Sequence, residues 1–206
     1  MSPAISTSVP RLEWTEDPEA DRLIAEDPLA LLIGFCLDQQ FPIEQAFLGP
    51  LRIRQRLGTL DAERLAATDP QAFVAAFRTP PAIHRFPASM AERVQGICRI
   101  VSDTYGGEAS RLWREAGTAA ELHRRLGALP GFGSLKAGIV TGVLARHFGV
   151  RPAGWEQIAP DFPTLADVTT AEERRAYQAA KRARKAALRA EGAAPPPSRG
   201  RQRSRT

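Results

Sequence analysis

The residues best equipped for chemistry lie in one short stretch, Leu129-Pro130-Gly131-Phe132-Gly133-Ser134-Leu135-Lys136. Gly131 and Gly133 suit a turn in which backbone approaches a partner closely or takes positive φ. A helix opening at Ser134 leaves its first amides without intrahelical acceptors, and the positive end of the helix dipole lies behind them. Those amides, with Lys136 nearby, can hold an anion, and a backbone phosphate fits that description. A glycine-rich turn also closes many αα-hairpins that bind nothing, so the turn alone leaves both readings open. Other reactive groups are few. Cys36 and Cys98, both in apolar runs, are too few for a disulfide scaffold, a four-thiolate zinc site or a cysteine-ligated iron–sulfur cluster. His84, His123 and His147 lack metal-ligand spacing, so no metal site is expected.

The charge distribution limits what an anion site can rest on. The net charge of +5 divides into +8 over residues 181–206, where nine basic residues face Glu191 alone, and −3 over residues 1–180. A polyanion must therefore be gripped by a few placed groups of the body, with the basic end adding sequence-independent attraction. No apolar run approaches the roughly 18 residues of a membrane span, and MSPAISTSVPR lacks the apolar segment of a secretory signal. The expectation is a soluble, cytoplasmic, nucleoid-associated monomer.

Helices must position these groups. Asp17-Pro18, Asp27-Pro28 and Asp69-Pro70 each place a capping acid before a proline suited to the first helical position. Ser89…Glu92, Thr118…Glu121 and Thr170…Glu173 match the capping box. Apolar stripes at Leu29, Leu32, Ile33, Cys36 and at Val94, Ile97, Cys98, Val101 predict two central helices. Strand signals are nearly absent beyond a short extended piece at Arg11–Thr15, so the fold class is all-α. Prolines 80, 81 and 87 predict a loop over Arg78–Ala88 that holds His84. The expected organisation is an N-terminal extension over 1–16, a helical body over 17–175 with a hairpin at about 122–148, a polar helix over 176–190 and a disordered basic tail over 191–206.

The string LPGFGSLKA resembles the helix-hairpin-helix element of the HhH-GPD superfamily of DNA glycosylases. A second match lies upstream, where Ile33-Gly34-Phe35-Cys36-Leu37-Asp38-Gln39-Gln40 precedes Phe41-Pro42; in that superfamily an earlier helix often ends in a Gln-Gln or related polar pair. The segments DPEADRLIAEDPLALLIGFCLDQQFPIEQAF, PAIHRFPASMAERVQ, YGGEASRLW and LPGFGSLKAGIVTGVLARHFGVRPAGWE look like an HhH-GPD subgroup without the iron–sulfur cluster, over roughly residues 17–175. The resemblance implies a two-lobed helical fold, double-stranded and damaged DNA as partner, and base excision repair as the setting. It assigns Gly131, Phe132, Gly133, Ser134 and Lys136 to the DNA backbone, and Gln40 or Gln39 to the gap an extruded nucleotide leaves. A side-chain amide can replace part of the stacking and pairing lost there. No cofactor is implied, although a monovalent cation at the hairpin turn is compatible with the motif.

The chain departs from the family pattern where catalysis is concerned. The superfamily's catalytic aspartate follows the second hairpin helix, and counting from the hairpin places it among Ala153, Gly154 and Trp155, none of which is an acid. Substitute carboxylates are Glu156, first by proximity, then Asp38 and Asp161. The lysine nucleophile of bifunctional members corresponds to Leu135, with Lys136 one residue later and about 100° around the helix. A phosphate contact is the better expectation for Lys136, and no strand-nicking lyase activity is expected. Trp155 could stack on a flipped base and His84 could contact it, although a core tryptophan and a structural loop histidine are the plainer readings. The expected function is a monofunctional DNA N-glycosylase acting on a damaged, alkylated base, because a cationic base leaves easily. The alternatives are a catalytically inactive protein of the same fold that recognises distorted DNA and, below it, an RNA- or ribosome-associated binder relying on the tail.

Overall fold

A computed structural model of the protein describes residues 10–192, and these form an all-α body. Its helices are α1 (Pro18–Glu26), α2 (Pro28–Leu37), α3 (Ile43–Leu57), α4 (Ala62–Ala67), α5 (Pro70–Arg78), α6 (Pro87–Tyr105), α7 (Arg111–Arg114), α8 (Ala119–Gly127), α9 (Ser134–His147), α10 (Trp155–Ile158) and α11 (Ala171–Gly192). A 3₁₀ turn covers Leu165–Asp167. Among the described residues there is no strand, only an isolated bridge between Thr118 and Ala153. No described helix is long and apolar enough to cross a membrane.

Five of the six expected helix openings are present. Asp17, Asp27 and Asp69 accept hydrogen bonds from the first-turn amides of α1, α2 and α5, and each is followed by proline. Such a cap stabilises a helix by about 1 kcal/mol. Thr118 caps α8, and the Thr170–Glu173 pair opens α11. The exception is Ser89, which lies inside α6, because Pro87 starts that helix two residues earlier. The helix α3 carries no side-chain cap and encloses Pro50, so neither signal marks it in the sequence.

Every residue from Leu29 to Leu37 is buried, which makes α2 the central helix. A helix apolar on all sides has no solvent face to present. Its neighbours approach closely because glycines face side chains: a Cβ on Gly34 would lie 2.3 Å from Phe47, and one on Gly49 would lie 2.3 Å from Leu37. The helix α6 buries Met90, Ala91, Val94, Ile97, Cys98 and Val101 on the expected stripe. Within the segment expected to be an N-terminal extension, Leu12 and Trp14 join the core, whereas Arg11 is exposed. Trp14 is fully buried against Phe35 and Phe47, and its Nε1 donates to the Val168 carbonyl at 2.7 Å. The Glu13 amide donates to Thr169 at 2.9 Å, so the Arg11–Thr15 piece pairs with a loop rather than a sheet. The tail expected to be disordered falls, from residue 193, outside the described residues, as do residues 1–9.

Candidate functional site

The hairpin forms as its sequence predicts. The helices α8 and α9 flank a turn in which Gly131 has φ +82°, a left-handed conformation that favours glycine. Gly133 precedes α9 with φ −101° and no side-chain cap, and the first intrahelical bond of α9 is Ala137 N–H to Gly133 O. The amides of Ser134, Leu135 and Lys136 thus lack intrahelical acceptors at an exposed helix start. Phe132 is buried and anchors the turn, and His123 Nε2 lies 2.9 Å from the Ser134 carbonyl, tying α8 to α9.

This turn sits against the end of α2. Cys36 Sγ is 3.7 Å from the Pro130 carbonyl, and a Cβ on Gly131 would meet both Cys36 Sγ and Arg93 Cδ at 3.4 Å. Lys136 reaches back from α9 and donates to the Phe35 carbonyl at 2.5 Å. That carbonyl belongs to the last turn of α2, where acceptors lack intrahelical donors and a cation opposes the negative end of the dipole. Lys136 therefore points inward rather than standing free beside the turn amides. Burial pushes its pKa down, with Asp38 acting in the opposite direction.

The glutamine pair follows directly. Gln39 is half-buried and accepts from Arg93. Gln40 is exposed, accepts from Arg85, and has φ +55°, the only positive φ of a non-glycine residue among the described residues. Holding a non-glycine residue there costs of order 1–3 kcal/mol and is characteristic of functional positions. Beside it the loop before α6 presents Phe86, half exposed, with the Arg85 guanidinium 4.5 Å above its ring. Glycine turn, glutamine tip and Arg85–Phe86 loop thus adjoin one another, linked through Arg93 and Arg85. The two arginines and Phe86 were not expected from the sequence. Their only signal was a loop bounded by prolines and an arginine beside the stripe of α6.

A pocket of about 820 Å³ opens beside the start of α9, within the range of small-molecule sites. Phe35, Leu135, Ile139, Phe162, Leu165 and Tyr177 supply its apolar lining, and Asp38, Lys136, Lys181 and Arg184 its charges. The Asp38 side chain is 12% exposed, and its Oδ1 is buried without a hydrogen-bond partner. Lys181 Nζ is 3.7 Å from that oxygen, beyond hydrogen-bond distance. Burial, with the charge of Asp38 next, raises the Tyr177 pKa to about 12, so its hydroxyl is a neutral donor.

The remaining candidates lie elsewhere. Glu156 is exposed on α10 and Asp161 is exposed in the following loop, and neither lines the pocket. Trp155 is half-buried on α10. His84 is buried, with its ring 4.4 Å from that of Phe41, and its Nδ1 accepts from the Phe86 amide. The structure thus brings Asp38, Lys136 and the hairpin together and leaves Glu156, Asp161, Trp155 and His84 outside that pocket. Tyr177, Lys181 and Arg184 enter from α11, a helix whose composition suggested little apolar contact. No protein-family model, no curated protein and no solved structure matches this chain.

Proposed function

We propose that the protein is a DNA N-glycosylase of the HhH-GPD type, with two helical lobes, that acts on a damaged, alkylated base in duplex DNA. The hairpin amides hold the phosphate backbone. Gln40, with Phe86 beside it, enters the duplex where a nucleotide has been extruded. The extruded base enters the pocket beside Asp38. The observation that carries this reading is the contact between the end of α2 and the hairpin turn, which sets a buried carboxylate, ion-paired with Lys181 but accepting no hydrogen bond at Oδ1, next to a helix start suited to phosphate.

Asp38 takes the part that the family pattern gives to an acid after the second hairpin helix. Its carboxylate stabilises the sugar cation that develops as the bond between C1′ and the base nitrogen breaks, and orients a water for attack on C1′. The electron pair of that bond leaves with the base, the water oxygen bonds to C1′, and its proton passes to solvent through the carboxylate. A cationic base needs no protonation to leave, which suits a pocket whose inner acid is a single carboxylate. Lys136 acts as a positioning cation, with its ammonium held by the Phe35 carbonyl, so hydrolysis rather than imine formation is the expected outcome.

The test is release of free base from duplexes carrying single lesions, scored separately from strand nicking. Free base with an intact abasic strand supports the reading. Binding to bent or lesion-bearing duplex with no abasic product across a broad panel overturns the enzymatic part and leaves a DNA-recognition protein of the same fold.

A further inference from the structure

The helix α11 is attached to the body in two different ways along its length. Its first turns are anchored: Glu13 Oε2 accepts from the Ala171 amide at 3.0 Å, and the Arg174 side chain, 3% exposed, donates to the Trp14 carbonyl at 3.3 Å. From Tyr177 onward the helix forms a wall of the pocket of about 820 Å³ and is held by side-chain tips. Gln178 donates to the Glu44 carboxylate, Lys181 Nζ stands 3.7 Å from Asp38 Oδ1, and the Arg184 guanidinium lies 5.5 Å from the centre of the Phe162 ring. No residue from Gln178 to Arg184 is buried. A segment with so little apolar contact opens locally at low cost, and a polar helix released from its support frays.

One of these contacts ends on the carboxylate that the proposed reaction uses. The Asp38 side chain is 12% exposed and that of Lys181 is 54% exposed, so the pair joins an inner acid to an outer cation on a flexible stem. The other inner cation, Lys136, is engaged by the Phe35 carbonyl. An ion pair at 3.7 Å with one partner half exposed and no hydrogen bond contributes little stability, so a competing cation can take the place of the ammonium. The charged lining, Asp38 against Lys136, Lys181 and Arg184, sums to +2, so a cation that enters while Lys181 stays in place is repelled. We propose that the Gln178–Arg184 segment of α11 is a lid over the pocket and that Lys181 is its latch, an internal cation holding the place at Asp38 that a positively charged base takes on entry. Base entry then requires that Lys181 leave Asp38 and the segment swing out. This rests on the reading that an extrahelical alkylated base enters here.

The test follows hydrogen exchange of the Gln178–Arg184 amides in the full chain, in Lys181→Met, in Asp38→Asn and in the double variant, with the buried amides of α2 as reference. Each single substitution breaks the same contact, so each should speed exchange in that segment about twofold to fivefold, as for a half-exposed ion pair, while the α2 amides keep their rates. The double variant should exchange no faster than the faster single variant. Calorimetric titration then uses 1-methyladenosine, whose alkylated base is positively charged at neutral pH. Lys181→Met, with the competing cation gone, should bind it about threefold or more tightly than the intact protein does. The latch is overturned if either single substitution leaves α11 exchange unchanged, if the two effects add, or if Lys181→Met binds 1-methyladenosine no better than the intact protein. Base release from lesion duplexes is scored alongside. Release by a protein whose α11 is indifferent to both substitutions overturns the latch alone, whereas a latch that meets every expectation in a protein releasing no base overturns the enzymatic reading alone.

Discussion

The Lys136 ammonium donates to the Phe35 carbonyl across 2.5 Å, joining the start of α9 to the end of α2, residues 101 positions apart. This contact fixes the hairpin relative to Asp38, three residues beyond Phe35. A cation on the last carbonyls of a helix satisfies an orphan acceptor and opposes the dipole. Replacing Lys136 with methionine keeps the apolar stem and removes the donor. Hydrogen bonds involving a charged group contribute about 1.5–3 kcal/mol, so Lys136→Met should lower the urea unfolding free energy by roughly that amount. An unchanged unfolding curve contradicts the clamp.

The two turn glycines should separate stability from binding. Gly133 has an ordinary φ, and a Cβ there would meet nothing within 4 Å. Gly133→Glu should change stability by no more than about 0.5 kcal/mol, as for a surface position, while its carboxylate repels phosphate at the helix start and cuts duplex affinity by about tenfold. Gly131 has φ +82°, with Arg93 and Cys36 at 3.4 Å from a Cβ. Gly131→Ala should therefore destabilise by about 1–2 kcal/mol whether or not DNA is present. Chemical denaturation and duplex titration of both variants check the pair.

Stability should fall as pH drops from 7.5 toward 5.5. His84 and His147 are each held below the ordinary histidine pKa, by burial first. At His84 backbone groups of Gln39 and Leu37 oppose this while Arg85 and Arg93 add to it, and at His147 backbone groups of Leu165 and Ala166 and the Asp167 carboxylate oppose it while Arg146 adds to it. The Nε2 atom of each ring is buried without a partner. Below the unfolded value near 6.5 the unfolded chain takes up protons that the folded chain resists, so stability declines with falling pH until the depressed native pKa is passed. His147→Phe should flatten the slope of unfolding midpoint against pH. An equal slope in that variant removes His147 as a cause.

Most of the helical frame was legible in the sequence, because Asp-Pro caps and the apolar stripes of α2 and α6 are local signals. The hairpin turn was legible for the same reason, since the two glycines and the following helix lie within one short string. What could not be read was which side chains meet across the chain. Asp38 gains its importance from its burial at the pocket with no hydrogen bond to Oδ1 and Lys181 brought to 3.7 Å from α11, and Glu156, ranked above it by sequence distance, is exposed on α10. Lys136 looks like a phosphate ligand by spacing, yet the orphan carbonyl at the end of α2 claims it. The composition of α11 reads as a solvated basic helix because Tyr177 is its one large apolar side chain at the pocket.

Lys136 also tests the assignment of a hydrolytic, monofunctional reaction. Its amine lines the pocket, and burial lowers its pKa. Imine formation with the C1′ aldehyde of an abasic sugar would be captured by borohydride as a covalent protein–DNA adduct. None is expected at neutral pH, because the amine is held by the Phe35 carbonyl and Asp38 serves water rather than the lysine. An adduct mapped to Lys136 contradicts the hydrolytic assignment.

The most direct measurement compares free-base release by the intact protein and by Asp38→Asn on the lesion duplex that the intact protein processes best, with duplex affinity measured for both. Acid–base groups of this kind contribute about 10²–10⁴-fold to rate, so the variant should lose at least about a hundredfold in release while binding the duplex as tightly as before. Full release by Asp38→Asn, or no release by the intact protein from any lesion duplex it binds, contradicts Asp38 as the catalytic carboxylate.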